Sequence, residues 1–206
     1  ELVEFGEDFE AARQEAGRLA QMRGLTIVPS FHRDLVLGVA TYSLEMFRAH
    51  PDLDVFYVPI GMGSGICGAI TVRDLLGLKT EIVGVQSTQA PCYALSLKAG
   101  RPISTPTAYT LADGMATRVP DETALEIIKS GVSRIVTVTD DEIAGAIGAY
   151  WSDTHNLAEG AGAAPLAAAL QEKEANAGKR VGLVLSGGNI DLSLFREWVL
   201  AAPAAA

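Results

Sequence analysis

The chain has 206 residues, of which 49% are hydrophobic, so it is long enough to bury the core of one large domain. Acidic side chains number 25 against 16 basic ones, and no run of basic residues stands out, which argues against nucleic acid and against an anionic membrane as partners. The two cysteines lack a metal-ligand spacing, no signal peptide is evident and no apolar run has membrane length, so we expect a cytoplasmic protein.

Helices and strands alternate through the first half of the chain. Apolar residues recur at helical spacing between Phe9 and Ala20, and Gly24 provides the stop signal of that first helix. The run DVFYVPI is continuously apolar, which is typical of a strand buried on both faces of a sheet. In order, the pattern predicts a helix over 7–24, a strand over 25–31, a helix over 35–50, a strand over 54–60, a helix over 68–76, a strand over 81–87 and a helix over 90–99.

Turn residues dominate positions 100–120, which predicts a long loop before the alternation resumes. Thr139 and Glu142 form a capping box that opens a helix ending near Trp151. The second half is predicted to contain a helix over 121–129, a strand over 134–139, helices over 139–151 and 161–175, a buried strand beginning at 181 and a helix over 192–200. Strands separated by such helices predict an α/β fold, with a parallel or mostly parallel sheet flanked by helices on both faces.

Two glycine-rich turns follow predicted strands, at residues 61–68 and 186–189. In parallel sheets, ligands bind outside the carboxyl ends of the strands, so both turns are candidate parts of one site. The first turn contains a G-x-G-x-x-G pattern, whose backbone N–H groups can bind a phosphate together with the start of the next helix. A nicotinamide dinucleotide site also needs an acid at the end of the next strand, but that strand ends at Gln86-Ser87. The pattern therefore favours a different phosphate, with a dinucleotide or a plain packing turn as the alternatives.

Four motifs in one order carry a resemblance to a known family: VPIGMGSGICG, TLADGMA, AEGAGAAPLAAAL and VGLVLSGGNID. From about Val3 to Leu194, the chain resembles the fold type II pyridoxal-phosphate enzymes of the serine/threonine dehydratase family. That family includes serine racemase, hydroxyaspartate ammonia-lyase and the hydroxyectoine-utilisation dehydratases. The resemblance implies that residues 25–200 form the large cofactor-binding domain, that residues 1–24 are the end of a small domain, and that residues 201–206 are a tail.

The resemblance also implies a set of cofactor-binding residues. The 5′-phosphate of pyridoxal phosphate would lie on the first glycine turn, the ring nitrogen against the Ser186 hydroxyl and the ring beside the backbone of Gly114, with Glu159 close to the pocket. The complete set is Gly61, Met62, Gly63, Ser64, Gly65, Gly114, Glu159, Ser186 and Gly187. A neutral hydroxyl cannot keep the ring nitrogen protonated as an aspartate would, so the ring would be a milder electron sink, which suits loss of a β-hydroxyl group.

Two features of such relatives are missing from this chain. Their Schiff-base lysine sits in a Ser-x-Lys-x-Arg-Gly-Ala-like segment, and no lysine of this chain has that context, so we expect no catalytic residue here and an absent N-terminal third. Cation-dependent relatives place a glutamate and an aspartate where this chain has Gln86 and Cys92. An amide and a thiol are poor ligands for hard cations, so we expect no Mg²⁺ or Ca²⁺ there and no metal site.

The function implied by the resemblance is the conversion of a small, threonine- or serine-like β-hydroxy amino acid to a 2-oxo acid and ammonia. The cofactor would be pyridoxal phosphate, and the enzyme would be a homodimer whose other partner is its amino-acid substrate. The alternatives are racemisation or β-replacement on the same fold, an inactive fragment without the lysine, and a dinucleotide-binding oxidoreductase.

Overall fold

The computed structural model describes residues 1–200, so the predicted tail over 201–206 lies outside the described residues. The strands are β1 Val55–Pro59, β2 Glu81–Ser87, β3 Arg134–Val138 and β4 Val181–Leu183. All of them are parallel, and they form one sheet in the order β3-β2-β1-β4. Tyr57 of β1 is opposite Val83 of β2 on one side and Leu183 of β4 on the other. The strand β1 therefore lies inside the sheet, as its continuously apolar sequence predicts.

Helices cover both faces of this sheet. They are α1 Phe9–Arg23, α2 Arg33–Ala49, α3 Ser64–Leu75, α4 Cys92–Ala99, α5 Glu122–Gly131, α6 Asp140–Ala149, α7 Gly160–Gln171 and α8 Leu192–Phe195, with a 3₁₀ turn at Asp113–Met115 and π-helical segments at Tyr150–Thr154 and Arg196–Leu200. Residues of α2 to α5 share one buried apolar cluster with the strands, and residues of α6 to α8 share another. This arrangement confirms the predicted α/β fold.

Close packing between α2 and α3 fixes the position of α3 on the sheet. A Cβ atom on Gly68 would lie 3.1 Å from the Cα atom of Ala40, so the two helices approach more closely than a larger side chain would permit. Beneath them, the rings of Phe47 and Phe56 meet edge to face with centroids 5.2 Å apart. Helix α3, which begins at Ser64 shortly after β1 ends at Pro59, is thereby held against the sheet.

Small side chains let α7 lie flat against the opposite face. The buried alanines of this helix are Ala161, Ala163, Ala164, Ala167 and Ala168. They belong to the same apolar cluster as Val55 and Tyr57 of β1, so the helix packs directly on the inner strands. The first turn of α7 consequently lies at the carboxyl edge of the sheet.

The predicted strand over residues 25–31 is wrong. This segment is irregular, its side chains Leu25, Ile27 and Val28 are exposed, and no strand among residues 1–200 pairs with it. A strand needs a neighbour for its backbone N–H and C=O groups, and Pro29 removes one donor from this segment. Apolar, β-branched composition alone was therefore insufficient.

Several predicted boundaries also differ from the structure, and two of these differences lie next to the glycine turns. Helix α3 begins at Ser64 rather than at residue 68, because Gly63 adopts a left-handed conformation with φ 100° and starts the helix one turn earlier. The strand β4 ends at Leu183, so the turn that follows it begins earlier than the apolar run indicates.

An ion pair connects the start of the N-terminal helix α1 to the long loop. Asp8 caps α1 by accepting a hydrogen bond from the backbone N–H of Ala11, and its other oxygen accepts one from Arg118 at 2.7 Å. The assignment of residues 1–24 to a separate small domain stays a prediction. In the part of the chain that the structure describes, no helix combines the length and the apolar character needed to cross a membrane.

Candidate functional site

The carboxyl ends of the four parallel strands meet at one edge of the sheet. The first glycine turn follows β1 there, and the turn at residues 186–189 follows β4, which is the direct neighbour of β1. Asp140, two residues after the end of β3, and the long loop over 100–120 reach the same edge. Segments far apart in sequence are therefore brought together where an α/β sheet binds its ligands.

The first glycine turn presents backbone donors rather than side chains. Gly63 occupies the cap position of α3, and no side chain caps this end of the helix. Because the first N–H groups of a helix have no partner within the helix, those of the turn are available to an anion, and the helix dipole favours one there. A Cβ atom on Gly63 would lie 3.0 Å from the Cβ atom of Ala124, so the position is also sterically restricted.

The phenol group of Tyr93 holds this turn from below. Its hydroxyl donates to the carbonyl oxygen of Met62 at 2.8 Å and accepts from the backbone N–H of Asp121 at 2.9 Å. Burial raises the pKa of Tyr93 far above its ordinary value, so the hydroxyl keeps its proton and remains a donor. The conformation of the turn is therefore tied to the start of α5.

The carboxylate of Asp140 holds the loop that carries Gly114. It accepts hydrogen bonds from the hydroxyl of Thr110 at 2.6 Å and from the backbone N–H of Leu111 at 3.0 Å. Beyond these residues the loop meets the first glycine turn, since a Cβ atom on Gly61 would lie 2.3 Å from the carbonyl oxygen of Gly114. The backbones of the two segments are thus in contact, which only glycine allows at position 61.

Glu159 connects the start of α7 to the turn after β4. Its backbone N–H donates to the carbonyl oxygen of Gly187 at 3.1 Å, and its carboxylate accepts from the backbone N–H of Asn189 at 3.0 Å. Its carboxylate also lies 3.9 Å from where a Cβ atom on Gly114 would be. Four of the predicted residues, Gly61, Gly114, Glu159 and Gly187, therefore form one continuous arc along the sheet edge.

The remaining predicted residues lie on the same edge with different exposure. Gly63 is buried, Met62, Ser64 and Gly65 are half-buried, and Ser186 is exposed. A cavity of about 480 Å³ opens beside Met62 and Gly114, and the segment 106–109 and the residues before α1 also line it. The edge is open toward solvent, with room beside the glycine turn for a small molecule.

The donor set of this edge fits pyridoxal phosphate. An uncapped helix start beside glycines suits a doubly charged phosphate monoester, and no acidic side chain lies within the segment 61–68 to repel it. Contact between the Gly61 and Gly114 backbones leaves the surface there free of side chains, as a flat ring requires. The exposed Ser186 hydroxyl can donate to, or accept from, a ring nitrogen.

Gln86 and Cys92, at the position where cation-dependent relatives would have carboxylates, bind each other and the backbone. The amide oxygen of Gln86 accepts from the backbone N–H of Ala94 at 2.9 Å, and its nitrogen lies 3.8 Å from the sulfur of Cys92. Burial raises the pKa of the Cys92 thiol to about 11, so it stays neutral at physiological pH. The absence of a divalent cation at this place stays a prediction.

The lysines of the chain lie away from this edge. Lys98 and Lys129 are in the last turns of α4 and α5, Lys79 precedes β2, and Lys173 and Lys179 lie between α7 and β4. All of them are exposed, and the elements that carry them lead to the amino ends of the strands. The absence of a Schiff-base lysine from this chain stays a prediction.

Sequence reasoning missed Tyr93 and Asp140, which hold two of the loops. Tyr93 gave no signal, because a tyrosine in an apolar helix is indistinguishable from a core residue. Asp140 did give one, since the capping box of α6 uses Thr139 and Glu142 and leaves Asp140 and Asp141 as additional acids close to the end of a strand.

The family described as "Pyridoxal-phosphate dependent enzyme" matches residues 1–187. The chain belongs to this family of pyridoxal-phosphate dependent enzymes. The match confirms the predicted family, and the cofactor of the family is the one predicted. The assignment of individual cofactor-binding residues to the glycine turns stays a prediction.

Individual relatives agree with this assignment. An L-threonine ammonia-lyase of Geobacter sulfurreducens is 38% identical over 193 residues, which are 93% of this chain and 48% of that protein. The processed form of threonine deaminase isoform 2 from Solanum lycopersicum superimposes with a TM-score of 0.88 at 27% identity, over 95% of this chain and 58% of that one. Maize serine racemase gives a TM-score of 0.85 at 25% identity, over 96% of this chain and 61% of that one. The chain thus spans about half the length of the curated relative it matches.

Proposed function

We propose that this chain forms the cofactor-binding part of a pyridoxal-phosphate-dependent dehydratase. The enzyme would convert a small β-hydroxy amino acid such as threonine or serine to a 2-oxo acid and ammonia. One observation carries the proposal: the first glycine turn, which is uncapped, and the turn after β4, which contains Ser186, lie on the same edge of the sheet. Gly114 and Glu159 lie between them. The similarity to a threonine ammonia-lyase supports the choice of reaction.

Four of the predicted residues would bind the cofactor directly in this proposal. The backbone N–H groups of Gly63, Ser64 and Gly65 bind the phosphate, and the Ser186 hydroxyl binds the ring nitrogen. When bound, the cofactor draws electron density from the α-carbon of the substrate. A hydroxyl partner leaves the ring nitrogen without a full positive charge, which favours substrates that relieve the developing negative charge by losing a β-hydroxyl group.

The residue that moves the α-proton is proposed to lie outside these 206 residues. The lysines of the chain are exposed and remote from the site, and the chain spans about half of its curated relative. A lysine contributed by a further segment would complete the site. We also propose that the protein at its full natural length is a cytoplasmic homodimer.

Racemisation of a small amino acid is the second candidate, because maize serine racemase shares the fold. The two reactions begin with removal of the same α-proton and differ in whether the β-hydroxyl leaves. The milder ring expected from Ser186 favours loss of the hydroxyl.

The experiment is to incubate the protein at its full natural length with pyridoxal phosphate and L-threonine or L-serine. We expect release of 2-oxo acid and ammonia in equal amounts. Formation of the D-enantiomer without 2-oxo acid would replace the dehydratase by a racemase. If the cofactor binds but neither product forms, both activities are contradicted, although the chain still belongs to the family.

A further inference from the structure

The side chain of Glu159 does not serve its own helix. Glu159 occupies the cap position of α7, where a short side chain such as that of aspartate or serine would accept a hydrogen bond from the first turn, and its longer side chain makes no such bond. Instead the carboxylate points to the turn after β4 and accepts from the backbone N–H of Asn189 at 3.0 Å. The hydrogen bond of this carboxylate is therefore made to the turn and not to the start of its own helix.

Steric contact shows how tightly this carboxylate fits against the turn. The three atoms nearest to a Cβ atom placed on Gly187 all belong to the Glu159 carboxylate, the closest being Oε1 at 2.6 Å. On the helix side, a Cβ atom on Gly162 would lie 2.4 Å from the carbonyl oxygen of Gly187. The turn is therefore held between the first turn of α7 and the Glu159 carboxylate, directly beside Ser186.

The partner of Glu159 is a neutral backbone amide. Among the ion pairs of residues 1–200, none includes Glu159, although the side chain is half-buried. An oxygen that accepts one hydrogen bond is all that this contact requires, so a glutamine could serve equally well. A role through charge on the cofactor would instead require the carboxylate itself.

We propose that Glu159 is a positioning residue, which holds the turn that carries Ser186 in place through its hydrogen bond to Asn189 rather than by charge. The part of this inference that concerns cofactor binding rests on the function proposed above. Without this bond the turn would open toward solvent, and the Ser186 hydroxyl would no longer be fixed opposite the ring nitrogen.

The experiment compares Glu159→Gln with Glu159→Ala by two measurements. Both use the protein at its full natural length: the first is the rate of amide hydrogen exchange over residues 186–190 without cofactor, and the second is the dissociation constant for pyridoxal phosphate. Because Glu159→Ala loses one hydrogen bond to a partly buried group, we expect it to raise both the exchange rate and the dissociation constant about tenfold. Glu159→Gln should keep both values within about threefold of the wild type.

The Gly187→Ala variant provides an independent test. Its methyl group would displace the Glu159 carboxylate and break the bond to Asn189, so it should reproduce the effect of Glu159→Ala. The double variant should then be no worse than either single one, because both substitutions remove the same contact.

Three results would overturn the positioning role: a glutamine variant as impaired as the alanine variant, unchanged exchange in Glu159→Ala, or additive losses in the double variant. If the wild-type protein does not bind pyridoxal phosphate, the proposed function fails. The exchange rates of the full-length protein, measured without cofactor, would still decide whether Glu159 holds the turn.

Discussion

Asp140 shows how a single side chain can order a functional loop. It lies in the first turn of α6, where any acid benefits from the helix dipole, but its carboxylate also satisfies Thr110 and Leu111 of the long loop. The neighbouring Asp141 occupies the same turn and is exposed. Comparing the same substitution at Asp140 and at Asp141 therefore separates the effect of the helix dipole from the effect of the contact with the loop.

Replacing Asp140 with alanine is predicted to destabilise the protein more than the same change at Asp141. Leaving the Thr110 hydroxyl and the Leu111 N–H unpaired should lower the free energy of unfolding by about 1–3 kcal/mol. Asp141→Ala, which removes only an exposed charge near the helix start, should cost about 0.5 kcal/mol. Denaturant titration measures both, and equal losses would show that the loop contact contributes nothing.

A polar network joins the strands β1 and β3 to the end of α7. Arg134 of β3 donates two hydrogen bonds to the carboxylate of Glu172, which follows α7, and the hydroxyl of Tyr57 of β1 donates to the same carboxylate. The Arg134 guanidinium holds the pKa of Glu172 below its ordinary value near 4.5. One carboxylate thus links two strands and the end of a helix.

This network predicts a pH dependence of stability. Because the native pKa of Glu172 is lowered, its contribution is complete above the unfolded pKa near 4.5 and is lost as the pH falls through the native value. Glu172→Gln should therefore lower the free energy of unfolding at pH 7 by about 1–2 kcal/mol. The difference from the wild type should shrink below pH 4.5.

The control for this prediction is Glu174→Gln, which changes an exposed acid two residues further along. Its stability profile should run parallel to that of the wild type. A constant deficit of Glu172→Gln across the acid range would mean that the carboxylate contributes by packing and not through its charge.

At the scale of the secondary-structure elements, the sequence pattern predicted a strand correctly where both of its faces are buried. It predicted a strand wrongly where no neighbouring strand is present to pair with. The strand β2 was predicted with the boundaries it has, because an apolar run buried on both faces has few alternatives. Residues 25–31 have similar composition but no neighbouring strand within the described chain. Periodicity reports which side chains suit a strand, whereas a strand forms only where another offers hydrogen bonds.

At the scale of the whole molecule, the site depends on the adjacency of β1 and β4. Their turns are separated by more than a hundred residues, and the parallel order places them side by side. Sequence reasoning could predict that both lie at the carboxyl edge. The contacts of Glu159 with Gly187 and of Gly61 with Gly114 depend on backbone positions within about an ångström, which no sequence pattern specifies.

Binding of pyridoxal phosphate tests the central claim most directly. In equilibrium dialysis at full natural length, we expect wild type to retain pyridoxal phosphate but not NAD⁺. The branched side chain of Gly63→Val would strain the left-handed turn and obstruct its N–H groups, which should weaken binding at least about tenfold. Gly145→Val, at a position in α6 whose added Cβ atom would meet nothing within 4 Å, should bind normally. Unchanged binding in Gly63→Val, or retention of NAD⁺ in place of pyridoxal phosphate, would contradict the account.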